Sequence, residues 1–228
     1  MHFQRLLVAF AVVSAFGSTA GAAPGELSPR EERRLERGRI VRRPLRGPRR
    51  GLVGGSSWIL VRAPVAEVWR TLGRVEAYRL MFPKVDRIQV LEEEGPRRLV
   101  RVDNELAVGT LSAFVALHFD AREREIRFRL DRGRDNPVRD GWGFLRMDAW
   151  PGREARTLLS FGVAVDPGGD ELARGLLEGR GERRMLNVTR LIKRFMEERS
   201  RPAHPRPTPS LRHPRPVLSR PGPRGLLR

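Results

Sequence analysis

The chain has 228 residues, a formal net charge of +18 and no cysteine, which excludes disulfides, catalytic thiols and Cys-ligated zinc. The positive charge lies mostly in two flanks: residues 24–57 hold ten Arg and four Glu, and residues 201–228 hold seven Arg and no acidic residue. Because the residues between these flanks are close to neutral, the charge does not predict a nucleic-acid partner.

The N-terminus has the pattern of a secretory signal peptide. Arg5 precedes the apolar run 6–17, and small residues follow as far as Ala22. The run is shorter than a membrane-spanning helix requires. We therefore predict that residues 1–22 are a cleaved signal peptide and that the protein is exported, either periplasmic or secreted. An uncleaved anchor is the alternative.

Residues 23–54 are rich in Arg and interrupted by Pro, and we interpret them as a linker. Ser28 and Glu31 have the spacing of a helix capping box, and Pro29 suits the first helical position. This pattern indicates a short exposed helix over 29–38, which has almost no apolar stripe with which to pack on the rest of the chain.

The C-terminal residues 201–228 hold eight of the 18 prolines, a composition that predicts a disordered tail. The basic segments 24–50 and 201–228 are candidates for contact with an anionic membrane or envelope polymer. A tail that only improves solubility explains the same composition.

The folded region begins with a β-rich run at 56–62. Two short helical patterns follow: the first begins at Pro64 and ends at Gly73, and the second ends before Pro83. Helices this short are unstable alone, so they must pack on another element. Trp69, Tyr78 and Phe82 are their predicted anchors.

From residue 85 onward the apolar residues recur with a period near two. In 124–132, for example, Ile126, Phe128 and Leu130 alternate with Arg, which requires one buried and one exposed face. Short turns separate the strands, which predicts an antiparallel meander. The predicted strands are 85–94, 97–106, 109–120, 124–132, 142–150 and 156–166.

The last predicted element is an amphipathic helix between Asp170 and Ser200. Glycines at 175, 179 and 181 weaken its first half, so the better helix is 182–199. The fold class is therefore α+β: a curved antiparallel sheet of about six to seven strands, two short helices, and a long C-terminal helix packed across the sheet.

This element order resembles the START-like, helix-grip superfamily, in particular its polyketide cyclase/dehydrase and coenzyme Q-binding branch. Residues 61–92 carry most of the resemblance, with the sequence VRAPVAEVWRTLGRVEAYRLMFPKVDRIQVLE. The runs at 141–147, 156–168 and 184–197 resemble the last strands and the final helix of the family. The similarity covers about 55–199, so we assign 55–200 as one START-like domain.

The resemblance implies a cavity for a hydrophobic ligand, such as a lipid, an isoprenoid quinone or a polyketide, between the C-terminal helix and the sheet. We expect aromatic and apolar residues to line it. The candidates are Phe114, Phe128, Trp142, Phe144, Phe161, Met185 and Leu191. Possible polar cavity groups are His118, Asp140 and Arg146. For each of them, a place in the core or on the surface is the alternative.

The predicted domain has a single His and no nucleophile elbow, so we predict no covalent catalysis, no bound metal and no cofactor. The leading hypothesis is an exported, monomeric protein that binds or carries a hydrophobic ligand. The first alternative is a polyketide cyclase or dehydratase that acts through Asp140, Arg146 or His118. The second is an envelope interaction module that acts through its basic flanks.

Overall fold

The computed structural model describes residues 27–45, 51–106, 109–168 and 180–199. The helices are α1 (Pro29–Glu36), α2 (Val65–Leu72), α3 (Tyr78–Met81), α4 (Arg180–Met185) and α5 (Val188–Arg199), with a 3-10 turn at Val75–Ala77. The strands are β1 (Val41–Pro44), β2 (Val53–Val61), β3 (Val85–Glu94), β4 (Arg97–Leu106), β5 (Gly109–Asp120), β6 (Glu125–Leu130), β7 (Asp140–Trp150) and β8 (Arg153–Asp166). The predicted signal peptide and C-terminal tail lie outside the described residues.

All the described strands form one antiparallel sheet of eight strands in the order β1-β2-β8-β7-β6-β5-β4-β3. From β3 to β8 each strand pairs with the next, as a meander requires. β2 pairs with β8, and β1 pairs with β2 at the edge of the sheet. The predicted α+β class with an antiparallel sheet, short helices and a C-terminal helix is therefore confirmed. The sheet has one strand more than the upper estimate from the sequence.

One face of the sheet, which we call the helical face, is covered by α2 and α5. Ile59, Met147 and Leu159 lie side by side on three neighbouring strands and are at most 2% exposed. Ile192 and Met196 of α5 pack into the same cluster. Removal of this apolar surface from water is the main force that holds helix and sheet together.

The short helices behave as the apolar spacing predicts. Val68 and Leu72 of α2 are fully buried, and Trp69 packs at the margin of the same core. Tyr78 donates a hydrogen bond of 2.7 Å from its hydroxyl to the carbonyl oxygen of Leu72, which ties α3 to the end of α2. Burial raises the pKa of this hydroxyl well above its ordinary value, so it remains a donor.

The opposite face of the sheet, which we call the outer face, has a small core of its own. Leu35 of α1 is fully buried against Trp58 and Leu60 of β2 and Val41 of β1. The interpretation of 23–54 as a linker is therefore wrong for its described part. Leu35 and Val41 hold α1 and β1 against the sheet because both point at the same apolar patch, and the ion pair between Arg43 and Glu31 adds to this attachment.

The C-terminal helix is interrupted. α4 ends at Met185 and α5 begins at Val188, so the predicted helix over 182–199 consists of two segments. The side-chain oxygen of Asn187, in the turn between them, accepts a hydrogen bond from Arg42 of β1. No helix among the described residues has the length and apolar character needed to cross a membrane.

Candidate functional site

Two of the predicted cavity residues lie on the helical face and touch each other. The rings of Phe128 and Phe161 are stacked, with 5.8 Å between their centroids and 16° between their planes. Phe128 lies over Gly143, where an added Cβ would be only 2.5 Å from its ring carbon Cζ. The missing side chain at Gly143 therefore makes room for this aromatic pair.

Six of the predicted residues lie on the outer face, away from α5. Phe144 lies over Gly162 there, since an added Cβ at Gly162 would be 2.4 Å from its ring. Strand alternation and register place the other five on the same side. The six are Phe114, His118, Asp140, Trp142, Phe144 and Arg146. Their predicted place in a cavity under the C-terminal helix is corrected accordingly.

Asp140 has a structural explanation on the outer face. It is 4% exposed, and its carboxylate accepts hydrogen bonds from Arg129 at 2.8 Å and from Arg132. Burial alone would raise the pKa of this carboxyl, but the two guanidinium hydrogen bonds outweigh burial and lower it. Asp140 is therefore an anion that ties the chain after β6 to the start of β7.

The other predicted polar groups also have surface partners or surface positions. Arg146 donates a hydrogen bond of 3.1 Å to Asp148, which raises the pKa of its guanidinium. His118 is exposed. Met185 and Leu191 are half-buried on α4 and α5, whereas the buried apolar positions of this region are Leu186, Ile192 and Met196.

The part of the helical face that α5 covers is closed. Its polar side chains bond to one another or to the backbone: the hydroxyls of Ser57 and Thr189 are 3.3 Å apart, and Thr157 donates to the carbonyl oxygen of Ala63 at 2.7 Å. All three hydroxyl residues are fully buried. A ligand therefore does not fit directly beneath α5 unless the helix moves.

Beyond α5 the same face is less closed. Several apolar side chains on the central strands are only half-buried, and we call this set the apolar strip. It consists of Val102, Ala113, Val115, Phe128, Leu130 and Val163. Phe128 joins the strip to the closed core through its stack on Phe161. The strip therefore leaves apolar surface of the helical face partly accessible to solvent.

A second feature is a cleft of about 500 Å³ between α2 and the β5–β6 hairpin. It is lined by Ala66, Trp69, Arg70, Gly73, Arg74, Arg98, Phe119 and Arg124. No local pattern in the sequence indicates this cleft, because its lining comes from segments of the chain that only the fold brings together. Among the described residues, no three His, Asp or Glu side chains are grouped as metal ligands would be.

The sequence of residues 56–193 matches the model of a family described as polyketide cyclase / dehydrase and lipid transport. The chain belongs to this family. The resemblance inferred from the sequence is thereby confirmed. No curated protein matches the chain. Because the match begins at residue 56, α1 and β1 are additions to the part of the chain that the family model covers.

Solved structures show the same fold. The ZhuI aromatase/cyclase from Streptomyces sp. R1128 superposes with a TM-score of 0.58 at 22% identity, covering 66% of this chain and 96% of that one. A START superfamily protein from Mycobacterium smegmatis has a TM-score of 0.51 at 16% identity, covering 65% and 99%. At these identities the likeness extends to the fold and not to the chemistry.

Proposed function

We propose that this member of the polyketide cyclase / dehydrase and lipid transport family binds and carries a hydrophobic ligand on the apolar strip of its helical face. The observation that carries the proposal is the contrast in burial along one face. Leu159 and Ile59 beneath α5 are at most 2% exposed, whereas Val115 and Phe128 are only half-buried. Covering the strip with a lipid, isoprenoid quinone or polyketide-like molecule removes apolar surface from water, and each buried CH₂ contributes about 0.8 kcal/mol.

The proposal also includes export. The signal-peptide pattern of residues 1–22 motivates it, and a periplasmic or secreted carrier would exchange its ligand with the lipids of the envelope. Cell fractionation, with the mass of the recovered protein, tests this part. A chain that begins at Ala23 in the exported fraction supports export, and a full-length chain in the cytoplasmic fraction would refute it.

An enzymatic role as a cyclase has less support from the residues in hand. His118, Asp140 and Arg146, on which that alternative rests, lie on the outer face and cannot reach a ligand on the apolar strip. A carrier needs apolar contact with its ligand, and the strip supplies it. We therefore propose binding rather than turnover.

The test uses a substitution that fills the strip without disturbing the core. Ala113 is half-buried on β5 and pairs with Val102 on the helical face. The variant Ala113→Phe places a ring where the ligand would lie. Ala116→Phe is the matched control, because Ala116 is half-buried on the same strand but faces outward.

The purified full-length protein is examined by native mass spectrometry and then extracted with organic solvent. We expect a bound hydrophobic species in the wild type and in Ala116→Phe, and at least a tenfold lower occupancy in Ala113→Phe. Thermal melts check that both variants are folded. Equal occupancy in the two variants, or no species in any sample, would overturn the proposal.

A further inference from the structure

The cleft between α2 and the β5–β6 hairpin has a strong positive charge that the hydrophobic-ligand proposal does not use. Four of its eight lining residues are arginines, and no acidic side chain lines it. Arg70 and Arg74 come from α2 and the turn after it, Arg98 from β4, and Arg124 from the hairpin turn. Like charges repel at close range, so such a convergence has to be stabilised by other contacts or by a bound anion.

Two of the four guanidinium groups are held in place by the protein. Arg98 donates a hydrogen bond of 2.7 Å to the carbonyl oxygen of Gly73 and lies 4.9 Å from the ring centroid of Phe119. Arg124 lies over the ring of Trp69 at 5.6 Å. Stacking on an aromatic ring fixes the plane of a guanidinium while its N–H groups remain available as donors.

The other two arginines carry uncompensated charge. Arg98 forms an ion pair of 2.8 Å with Glu93, but Arg70 and Arg74 form no ion pair with any residue that the structure describes. Both are exposed. The side chains around the cleft therefore combine two oriented guanidinium groups with two free ones that can close over a ligand.

The backbone at Arg124 provides an independent observation. Its φ angle is 51°, which makes it the one non-glycine residue with a positive φ in the described part of the chain. Glycine or asparagine normally occupies this left-handed conformation, because the Cβ of other residues crowds the backbone. Residues held in such conformations cluster at binding sites, and this one places its guanidinium in the cleft.

We propose that this cleft binds a phosphate-type oxyanion through Arg70, Arg74, Arg98 and Arg124. A phosphate dianion has more acceptor oxygens and more charge than a carboxylate, and guanidinium groups recognise it through paired hydrogen bonds. The phosphate could belong to a soluble phosphate compound or to a lipid headgroup. The cleft is separate from the apolar strip, so the inference does not rest on the proposed function.

The test compares two double variants of the full-length chain. R70Q/R74Q removes the two free charges of the cleft. R39Q/R183Q removes two exposed arginines that line neither the cleft nor the apolar strip, so it is matched in net charge. Thermal melts establish that both are folded, and any contribution of the basic flanks is the same in all samples.

The first two probes are inorganic phosphate and sodium acetate at equal ionic strength, and calorimetry measures the binding of each to the protein. The third probe is vesicles of phosphatidylcholine with and without phosphatidic acid, measured by co-sedimentation. We expect phosphate to bind the wild type and R39Q/R183Q alike, and R70Q/R74Q at least tenfold more weakly. Binding of phosphatidic acid vesicles alone, with the same dependence on Arg70 and Arg74, supports the site and assigns the phosphate to a lipid.

Three results would overturn the proposal. One is the absence of binding to both phosphate and phosphatidic acid. Another is an equal loss in the two double variants, which would indicate a general effect of net charge. The third is acetate binding as strong as phosphate binding, which would show that the cleft does not select a phosphate-type anion.

Discussion

Replacement of Leu35 by Ala tests whether α1 is an integral part of the fold. Leu35 has no exposed surface and packs against Val41, Trp58 and Leu60. Truncation of a fully buried Leu to Ala costs about 2–5 kcal/mol, since apolar contact is lost and a cavity remains. The patch is small and near the surface, so partial collapse is possible, and we expect about 3 kcal/mol.

Urea denaturation followed by tryptophan fluorescence measures this loss, because Trp58 lies in the same cluster and is 3% exposed. For a slope of about 2 kcal/mol per molar urea, the midpoint would fall by about 1.5 M. Arg34→Ala is the control, since Arg34 precedes Leu35 but is exposed, and its effect should stay within about 0.5 kcal/mol. A loss below 1 kcal/mol for Leu35→Ala would mean that α1 is only loosely attached.

Two further substitutions test the packing of the sheet and the attachment of α1. Gly143→Ala should lower the free energy of unfolding by about 2 kcal/mol or more, because the added Cβ would lie 2.1 Å from the carbonyl oxygen of Gly162. Gly133→Ala is the control and should be nearly neutral, since its Cβ meets no atom closer than 3.4 Å. Equal melting temperatures for the two variants would contradict this prediction. Hydrogen bonds from Arg43 and from the Ser28 backbone lower the pKa of Glu31 from 4.5 to about 2. This contribution is present above pH 4.5 and is lost as the pH falls through about 2, so Glu31→Gln should be less stable than the wild type at pH 7, and the difference should shrink steadily between pH 4.5 and 2. A difference that does not change with pH would refute that assignment.

The meander from β3 to β8 was predictable because each of its strands carries its own alternation and each turn its own signal. Ile126, Phe128 and Leu130 indicate one face of β6 without help from any other strand. What alternation cannot give is which face the helices cover. As aromatic residues of β7, Trp142 and Phe144 are predicted to line the cavity, but they lie on the outer face, and Gly143 between them leaves room for Phe128 on the helical face.

The packing of α1 on the sheet was not predicted, for a related reason. The capping box of Ser28 and Glu31 was visible in the sequence, and both of its hydrogen bonds form. The apolar contribution of α1 is a single residue, Leu35, which is too little to produce a helical stripe. Its partner surface on Trp58 exists only after β2 has joined the sheet, so local pattern could not reveal it.

The basic cleft could not be predicted from the sequence at all. Arg70, Arg98 and Arg124 are far apart along the chain, in a protein where arginine is common throughout. Only the packing of α2 against the sheet, with Trp69 edge-on to Phe119 at 6.4 Å, brings these segments to one place. A single arginine in a sequence carries no information about the others that will surround it.

The central claim is that a hydrophobic molecule lies on the apolar strip, and photolabelling tests it most directly. The full-length protein is irradiated with a long-chain fatty acid that carries a diazirine near the end of its chain, and the labelled peptides are mapped by mass spectrometry. We predict labels on the helical-face residues of β5 and β6, such as Val115 and Phe128, with competition by unlabelled fatty acid. Labels confined to the outer face, or spread without competition, would contradict the account.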